Sequence, residues 1–273
     1  MFNRNYSTRS KYKKKSNLFL IKKKIKKLFN SLGFNISVKH IDKNYKETSF
    51  NQIFLNEIKK PDPIIFDVGA CDGQSINRFK DNFPNSIIHA FEPNHEEFEV
   101  LKKKFKNDKS IILNNIAIGN ENTEKILNIT KNSENSSFLD FDENSKWINA
   151  RSKEFNTDVK NFIIRKDKIK LITLDEYIKK NQIKNIDILK IDTEGFEDKV
   201  FEGAKNSLKE NLIQFIEFEI IHNGVYKSHQ TWTSLEKHLI PNNYFFSGIE
   251  SMGVNNIYES NVFSNNVIYI LKK

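Results

Sequence analysis

The chain has 273 residues, room for one large domain with an appendage. Hydrophobic residues make up 38%, with 23 Phe, which is enough for a sizeable core and excludes wholesale disorder. A single cysteine, Cys71, excludes a disulfide framework or a cysteine zinc cluster within the chain. The formal charge of +9 is unevenly spread: residues 1–60 hold 16 Lys and Arg against 3 Asp and Glu, whereas the remainder has a net charge of −4.

Residues 1–60 therefore read as a basic extension on a mildly acidic body. Within it, Leu18, Ile21, Ile25, Leu28, Phe29 and Leu32 follow helical spacing, with Lys22, Lys23, Lys26 and Lys27 mainly elsewhere around the helix. The pattern predicts an amphipathic helix over about 18–32, with Gly33 as its stop. Such a helix can pack on the body or a second subunit. It can also touch an anionic membrane surface, or supply phosphate contacts. Lys and Asn are abundant throughout, which weakens the functional weight of any one lysine. No apolar run approaches a membrane span, and the Leu18–Ile21 stretch is too short for a signal-peptide core. A cytoplasmic protein is expected, with peripheral contact at the inner membrane surface as an option.

From Pro61 the pattern alternates. Ile64–Val68 is a short apolar run between turn signals, hence a buried strand. A turn follows over Gly69–Gly73, then a helix from Ser75 to Asn82. Ser86–Phe91 is a second strand, and Asn94 caps a helix that runs to Phe105. Ile111–Leu113 is a third strand. Lys125–Ile129 and Ile169–Ile172 are short candidate strands, and Asp175 is expected to cap a two-turn helix. Ile186–Ile191 is a strong buried strand, followed by a helix over 196–208 and a strand over Leu212–Ile220. Thr231–Leu239 is helical, and Tyr244–Ile249 and Val267–Leu271 close the pattern. The alternation predicts an α/β fold with a mostly parallel sheet, helices on both faces and an antiparallel C-terminal edge hairpin. The domain is expected to span 61–273, with 131–166 as an insertion specific to the substrate.

In open α/β sheets the ligand sits beyond the carboxyl ends of the strands. The first such turn is Asp67-Val68-Gly69-Ala70-Cys71-Asp72-Gly73, where Gly69 and Gly73 permit tight turning and close approach. It departs from the dinucleotide fingerprint, since Cys71 and Gln74 stand where glycines would. Asp67 and Asp72 disfavour a pyrophosphate and suit a cationic ligand. S-adenosylmethionine carries an ammonium and a sulfonium and no phosphate. Strand two ends at Glu92, 25 residues after Asp67, near the spacing at which an acidic residue takes a ribose diol.

These residues carry a resemblance. Phe66-Asp67-Val68-Gly69-Ala70, Phe91-Glu92-Pro93, Asn115-Ile116-Ala117, Ser136-Ser137-Phe138, Thr173-Leu174-Asp175 and Leu189-Lys190-Ile191-Asp192-Thr193-Glu194-Gly195-Phe196-Glu197 stand in the order seen in the FkbM family of S-adenosylmethionine-dependent methyltransferases. The resemblance covers about residues 61–220 and weakens toward the C-terminus. Its most specific part is the K-I-D-x-E-G-x-E block. It implies a Rossmann-like class I methyltransferase fold with a seven-stranded sheet. It also implies S-adenosyl-L-methionine as cofactor and hydroxyl groups of sugars or natural products as acceptors. Cys71 departs from the family, which usually has Asn there. The implied cofactor-binding residues are Asp67, Gly69, Ala70, Asp72, Gly73, Glu92 and Asn115. Asp192 and Glu194 are implied at the methyl-transfer or acceptor site.

An alcohol acceptor loses its proton as it attacks. Asp192, His222 and, as a weaker candidate, Glu219 are expected bases, His222 because it follows a strand end. Glu194 and Glu197 equally suit a helix N-terminus by charge. Asp192, Glu194 and Glu219 offer an alternative seat for Mg²⁺, but no metal is assigned. In the insertion, Ser136-Ser137-Phe138 and Lys146-Trp147-Ile148 are placed over the substrate. Arg151, Lys153 and Arg165 offer charge to an acidic sugar or phosphate, or a solvated loop face. The expected function is O-methylation of a saccharide, glycolipid or small natural product. One alternative is an RNA methyltransferase using the basic arm, disfavoured by the acidic body. The other is a noncatalytic nucleoside-binding or scaffold protein. Acceptor identity and oligomeric state are not encoded in any motif.

Overall fold

The computed structural model describes residues 49–251, except 223 and 229, and residues 264–272. The helix expected over 18–32 lies outside the described residues. Thr48–Lys273 form one compact unit. Its elements in chain order are α1 (Phe50–Glu57), β1 (Ile64–Val68), α2 (Gln74–Asn82), β2 (Ile87–Phe91), α3 (His95–Lys104), β3 (Ile111–Asn114), β4 (Ala117–Ile118), β5 (Thr123–Thr130), α4 (Lys146–Glu154), β6 (Ile163–Ile172), α5 (Leu174–Lys180), β7 (Ile186–Ile191), α6 (Glu197–Gly203), α7 (Lys205–Lys209), β8 (Ile213–Ile221), α8 (Trp232–Leu239), β9 (Tyr244–Ser251) and β10 (Ser264–Leu271).

Seven strands form the main sheet in the order β3-β2-β1-β7-β8-β10-β9. The first five pair in parallel, and β10 runs antiparallel to both β8 and β9. The mostly parallel seven-stranded sheet and the antiparallel hairpin at its edge are thus as the sequence predicts. Strand alternation sends side chains to two separate cores. Phe66, Val68, Leu189, Ile191 and Phe218 pack with Leu174, Val200, Phe201, Leu208 and Leu235 on one face. Ile65, Ile88, Ile188, Phe215 and Ile268 pack with Phe50, Phe54, Ile76, Phe79 and Leu101 on the other.

Four local features differ from expectation. The body begins before residue 61, because Phe50 and Phe54, one turn apart on α1, are buried in the second core. The helix expected over 196–208 is broken at Ala204 into α6 and α7. The cap of α5 is Thr173, whose hydroxyl accepts from the Glu176 amide. Asp175 instead accepts from the Asn206 and Ser207 amides at the start of α7, each at 2.9 Å. Finally, β5 and β6 are longer than predicted, and with β4 they form a separate three-stranded sheet.

Between β5 and β6, α4 and its flanking turns carry a small core of their own. Phe141, Trp147, Ile148 and Phe162 pack there with Val225 and Tyr226 from the segment after β8. Main-chain bonds from Asp142 to Val225 and from Lys227 to Asp140 hold the two together. Among the described residues no helix is long and apolar enough to cross a membrane.

Phe54 is fully buried, with its ring edge-on to Phe215 at 5.5 Å. Phe54→Ala should cost about 3–5 kcal/mol of stability, as other large-to-small core changes do. Urea unfolding checks this; a loss below about 1 kcal/mol would place α1 outside the cooperative body.

Candidate active site

The site forms where β1, β2 and β7 end side by side. The Asp192 amide donates to the Val68 carbonyl, and the Gly69 and Ala70 amides donate to Phe91. Gly69 has a φ of +88°, and a Cβ there would lie 1.8 Å from the Asp192 carbonyl oxygen. Only glycine permits that approach.

Glu92 is 6% exposed and held from two sides. Its Oε2 accepts from the Cys71 amide and its Oε1 from the Asn94 amide, both at 2.8 Å. Cys71 reaches this position with a φ of +45°. Burial pushes the Glu92 carboxyl up to about 7, against the two amide donors, which favour its ionised form.

Glu92 lines a cavity at the strand ends. One wall is apolar, made by Ile116, Ala117, Ile118, Leu127 and Phe138. The other is polar, with Glu92, Asn94, Asp192, Thr193 and Glu194, and Glu97 and Glu134 at its margin. No Lys, Arg or His lines it among the described residues. A phosphorylated ligand would face five carboxylates and no cation there. An apolar wall facing carboxylates is complementary to a ligand that joins an apolar ring to a positive charge.

Asp192 and Glu194 also line a wider polar cleft with Lys190, Arg78, Glu217 and Glu219. The Arg78 Nη2 group donates to both carboxylate oxygens of Glu217, at 2.8 and 2.9 Å. The Lys190 ammonium lies 3.1 Å from Asp192 and 3.7 Å from Asp67. Burial works against that charge, but Asp192, Asp67 and Glu217 outweigh it and hold Lys190 above the ordinary lysine range. Both cations that line the cleft among the described residues are therefore already paired.

Glu194 has a φ of +52°, rare for a residue with a Cβ. Two hydrogen bonds fix it: Ser137 donates to its carbonyl at 2.7 Å, and Tyr226 donates to its Oε2 at 3.0 Å. Carboxylate oxygens of Asp192, Glu194 and Glu219 all lie within 4.8 Å of one another, close enough to share one cation. Burial raises Glu194 well above the ordinary range, and the charges of Glu219 and Asp192 add to it. Burial and then the Asp192 charge push Glu219 up to about 8, although Ser264 and Lys190 act the other way.

The remaining predicted residues take other places. Asp67 is fully buried beneath the turn, where it accepts from the Ser75 hydroxyl at 2.5 Å and lines neither cavity. Ala70 and Asp72 line only the polar cleft, and Asp72 accepts from the Gln74 amide. Gly73 starts α2 at a φ of +81°, with Phe105 and Leu101 filling the space a side chain would need. Asn115 is exposed and clasps the carbonyls of Glu92 and Pro93. His222 lies away from the site. On β8, Glu217 and Glu219 share the cleft face, while Phe218 and Ile220 point into the opposite core, and His222 continues that second register. Its ring stacks on Trp232 and meets Asn265. Arg151 pairs with Glu154, and Arg165 with Glu96 and Asp167, so neither is placed to meet an acidic acceptor. Glu197 is buried and accepts from Thr193 and Gln230, a structural role. Sequence reasoning missed Lys190 and Tyr226. Lys190 was legible, two residues before Asp192 on the same strand face; Tyr226 carried no local signal.

The sequence profile of the methyltransferase FkbM domain matches residues 67–244. The chain belongs to the FkbM methyltransferase family. A search of curated proteins finds no match. Among solved structures, the FkbM methyltransferase of Methylobacillus flagellatus KT is 12% identical, covers 82% of this chain and superposes with a TM-score of 0.49. The chain spans about half of that protein's length, 47%. TrmK of M. capricolum, solved with S-adenosyl-homocysteine, is 13% identical over 82% of this chain and 69% of its own, at a TM-score of 0.44. Aeropyrum pernix fibrillarin, solved with S-adenosyl-L-methionine, is 11% identical over 78% and 67%, at 0.41. The sheet that carries this domain has seven strands, with one antiparallel strand inside the edge.

Glu92, Glu194 and Glu219 bind protons more tightly folded than unfolded. Their ionisation is therefore penalised in the native state, and stability falls as pH rises from the ordinary carboxylate range through about 7–8. The thermal midpoint of the ligand-free protein should be higher at about pH 5.5 than at about pH 8.5, and Glu219→Gln should flatten the decline. Scanning calorimetry across that window checks it; a midpoint that climbs with pH would contradict the assignment.

Proposed function

We propose that this FkbM methyltransferase transfers a methyl group from S-adenosylmethionine to a hydroxyl of a polyhydroxylated acceptor, a saccharide or related small molecule. The observation that carries the reading is the buried Glu92 in a cavity lined by carboxylates and, among the described residues, no cation. Glu92 accepts the ribose hydroxyl protons, and the apolar wall around Ile116 and Phe138 takes the purine. Asp192, Glu194 and Glu134, which border both spaces, face the ammonium and sulfonium. Bound there, the cofactor supplies a methyl group on a good leaving group.

The chain's own work is alignment and proton removal. Asp192 sits at the junction, oriented by Lys190. Glu219, on the acceptor side and held near neutrality in its titration, is suited to accept the hydroxyl proton. The cleft's paired cations and unpaired acids disfavour phosphorylated or nucleic-acid acceptors and suit neutral or cationic ones.

Calorimetric titration with S-adenosylhomocysteine tests the cofactor reading. The wild type should bind, and Glu92→Ala should lose about 1–3 kcal/mol, roughly tenfold to a hundredfold. Unchanged affinity in Glu92→Ala would refute its role. Asp192→Ala should keep the fold yet lose methyl transfer from labelled S-adenosylmethionine to a panel of sugars; full turnover would remove Asp192 from the chemistry.

A further inference from the structure

Asn94 lines the cofactor cavity next to Glu92 and is 2% exposed. It caps α3: its Oδ1 accepts from the Glu96 amide at 3.1 Å. That bond fixes the amide's orientation, because flipping it would set two N–H donors against each other. The Nδ2 group is then buried, with no hydrogen-bond partner among the described residues. Capping needs only the oxygen, and Ser or Asp would supply it as well as Asn. A buried donor without a partner costs about 1–3 kcal/mol.

The place of this donor says what it is for. The Asn94 main-chain amide already donates to Glu92, and the two residues line the same cavity. A vicinal diol offers protons, which a carboxylate accepts, and lone pairs, which it does not. We infer that the Asn94 Nδ2 group donates to a ribose hydroxyl oxygen of the cofactor, so that Glu92 and Asn94 form a complementary acceptor and donor pair for the diol. The inference rests on the cofactor reading above and adds a binding residue to it.

The test is calorimetric titration of the full chain with S-adenosylhomocysteine and with its 2′,3′-dideoxy analogue. Asn94→Ser keeps a capping oxygen and removes the donor. Asn94→Asp keeps the shape and the cap as well, and serves if the serine variant folds poorly. Thermal melting and far-ultraviolet circular dichroism should stay close to wild type. Affinity for S-adenosylhomocysteine should fall about tenfold or more. The dideoxy analogue should bind the wild type more weakly, and Asn94→Ser should leave that weaker binding unchanged. Wild-type affinity for S-adenosylhomocysteine in the folded variants overturns the inference alone. So does an equal loss on the dideoxy analogue, which would move the contact off the diol. A wild type that does not bind S-adenosylhomocysteine overturns the cofactor reading, and this inference with it.

Discussion

The site depends on how closely β7 approaches β1. The Asp192 carbonyl occupies the space a side chain on Gly69 would need. That single contact brings the carboxyl ends of two parallel strands together, and β2 joins through the Phe91 carbonyl. Asp192 and Glu92 are then fixed to backbone rather than to mobile loops. A methyltransferase needs this, because an in-line displacement loses rate steeply when donor and acceptor drift.

The same closeness sets the electrostatics. Carboxyl groups from three strand ends converge in a partly buried space with few cations. Lys190 offsets Asp192 and Asp67, and Arg78 offsets Glu217, but Glu92, Glu194 and Glu219 have no cationic partner at bonding distance among the described residues. They respond by holding protons more tightly. A sulfonium or ammonium in the adjoining space relieves that strain directly. Native stability is thus given up where a cationic ligand recovers it.

What the sequence made legible was local. The turn glycines, the Asn94 cap, Glu92 at a strand end and the K-I-D-x-E-G block are each defined by neighbours within a few residues. Their positions relative to one another follow from parallel strand order. The errors arise where a second dimension decides. His222 follows a strand end, as the site residues do, but which face it takes depends on the register of Glu217 and Glu219 across β8. The first helix hides in a stretch whose charge marks it as part of the arm, although Phe50 and Phe54 stand one turn apart. In β6 the pattern Ile-Ile-Arg-Lys-Asp-Lys-Ile-Lys-Leu-Ile is half exposed and buries only Leu171 fully, so it gives little burial signal. Tyr226 is 32 residues from the Glu194 it contacts, and only the tertiary fold brings the two together.

That last contact shows how the insertion enters the chemistry. Glu194 and Gly195 both sit in the left-handed region, and a Cβ on Gly195 would press against Tyr226 and Leu139. A glutamate held there stores strain unless its surroundings impose the conformation. Ser137 and Tyr226 impose it, one on the carbonyl and the other on the carboxyl. Tyr226 is itself set by the small core of Phe141, Trp147 and Phe162 within the insertion. A sequence change in that core would shift the Tyr226 hydroxyl, and through it a carboxylate that lines both the cavity and the polar cleft. Residues 131–166 are thereby wired to a carboxylate that borders both the cavity and the cleft, while Glu92 and Gly69 are held by main-chain contacts outside that segment.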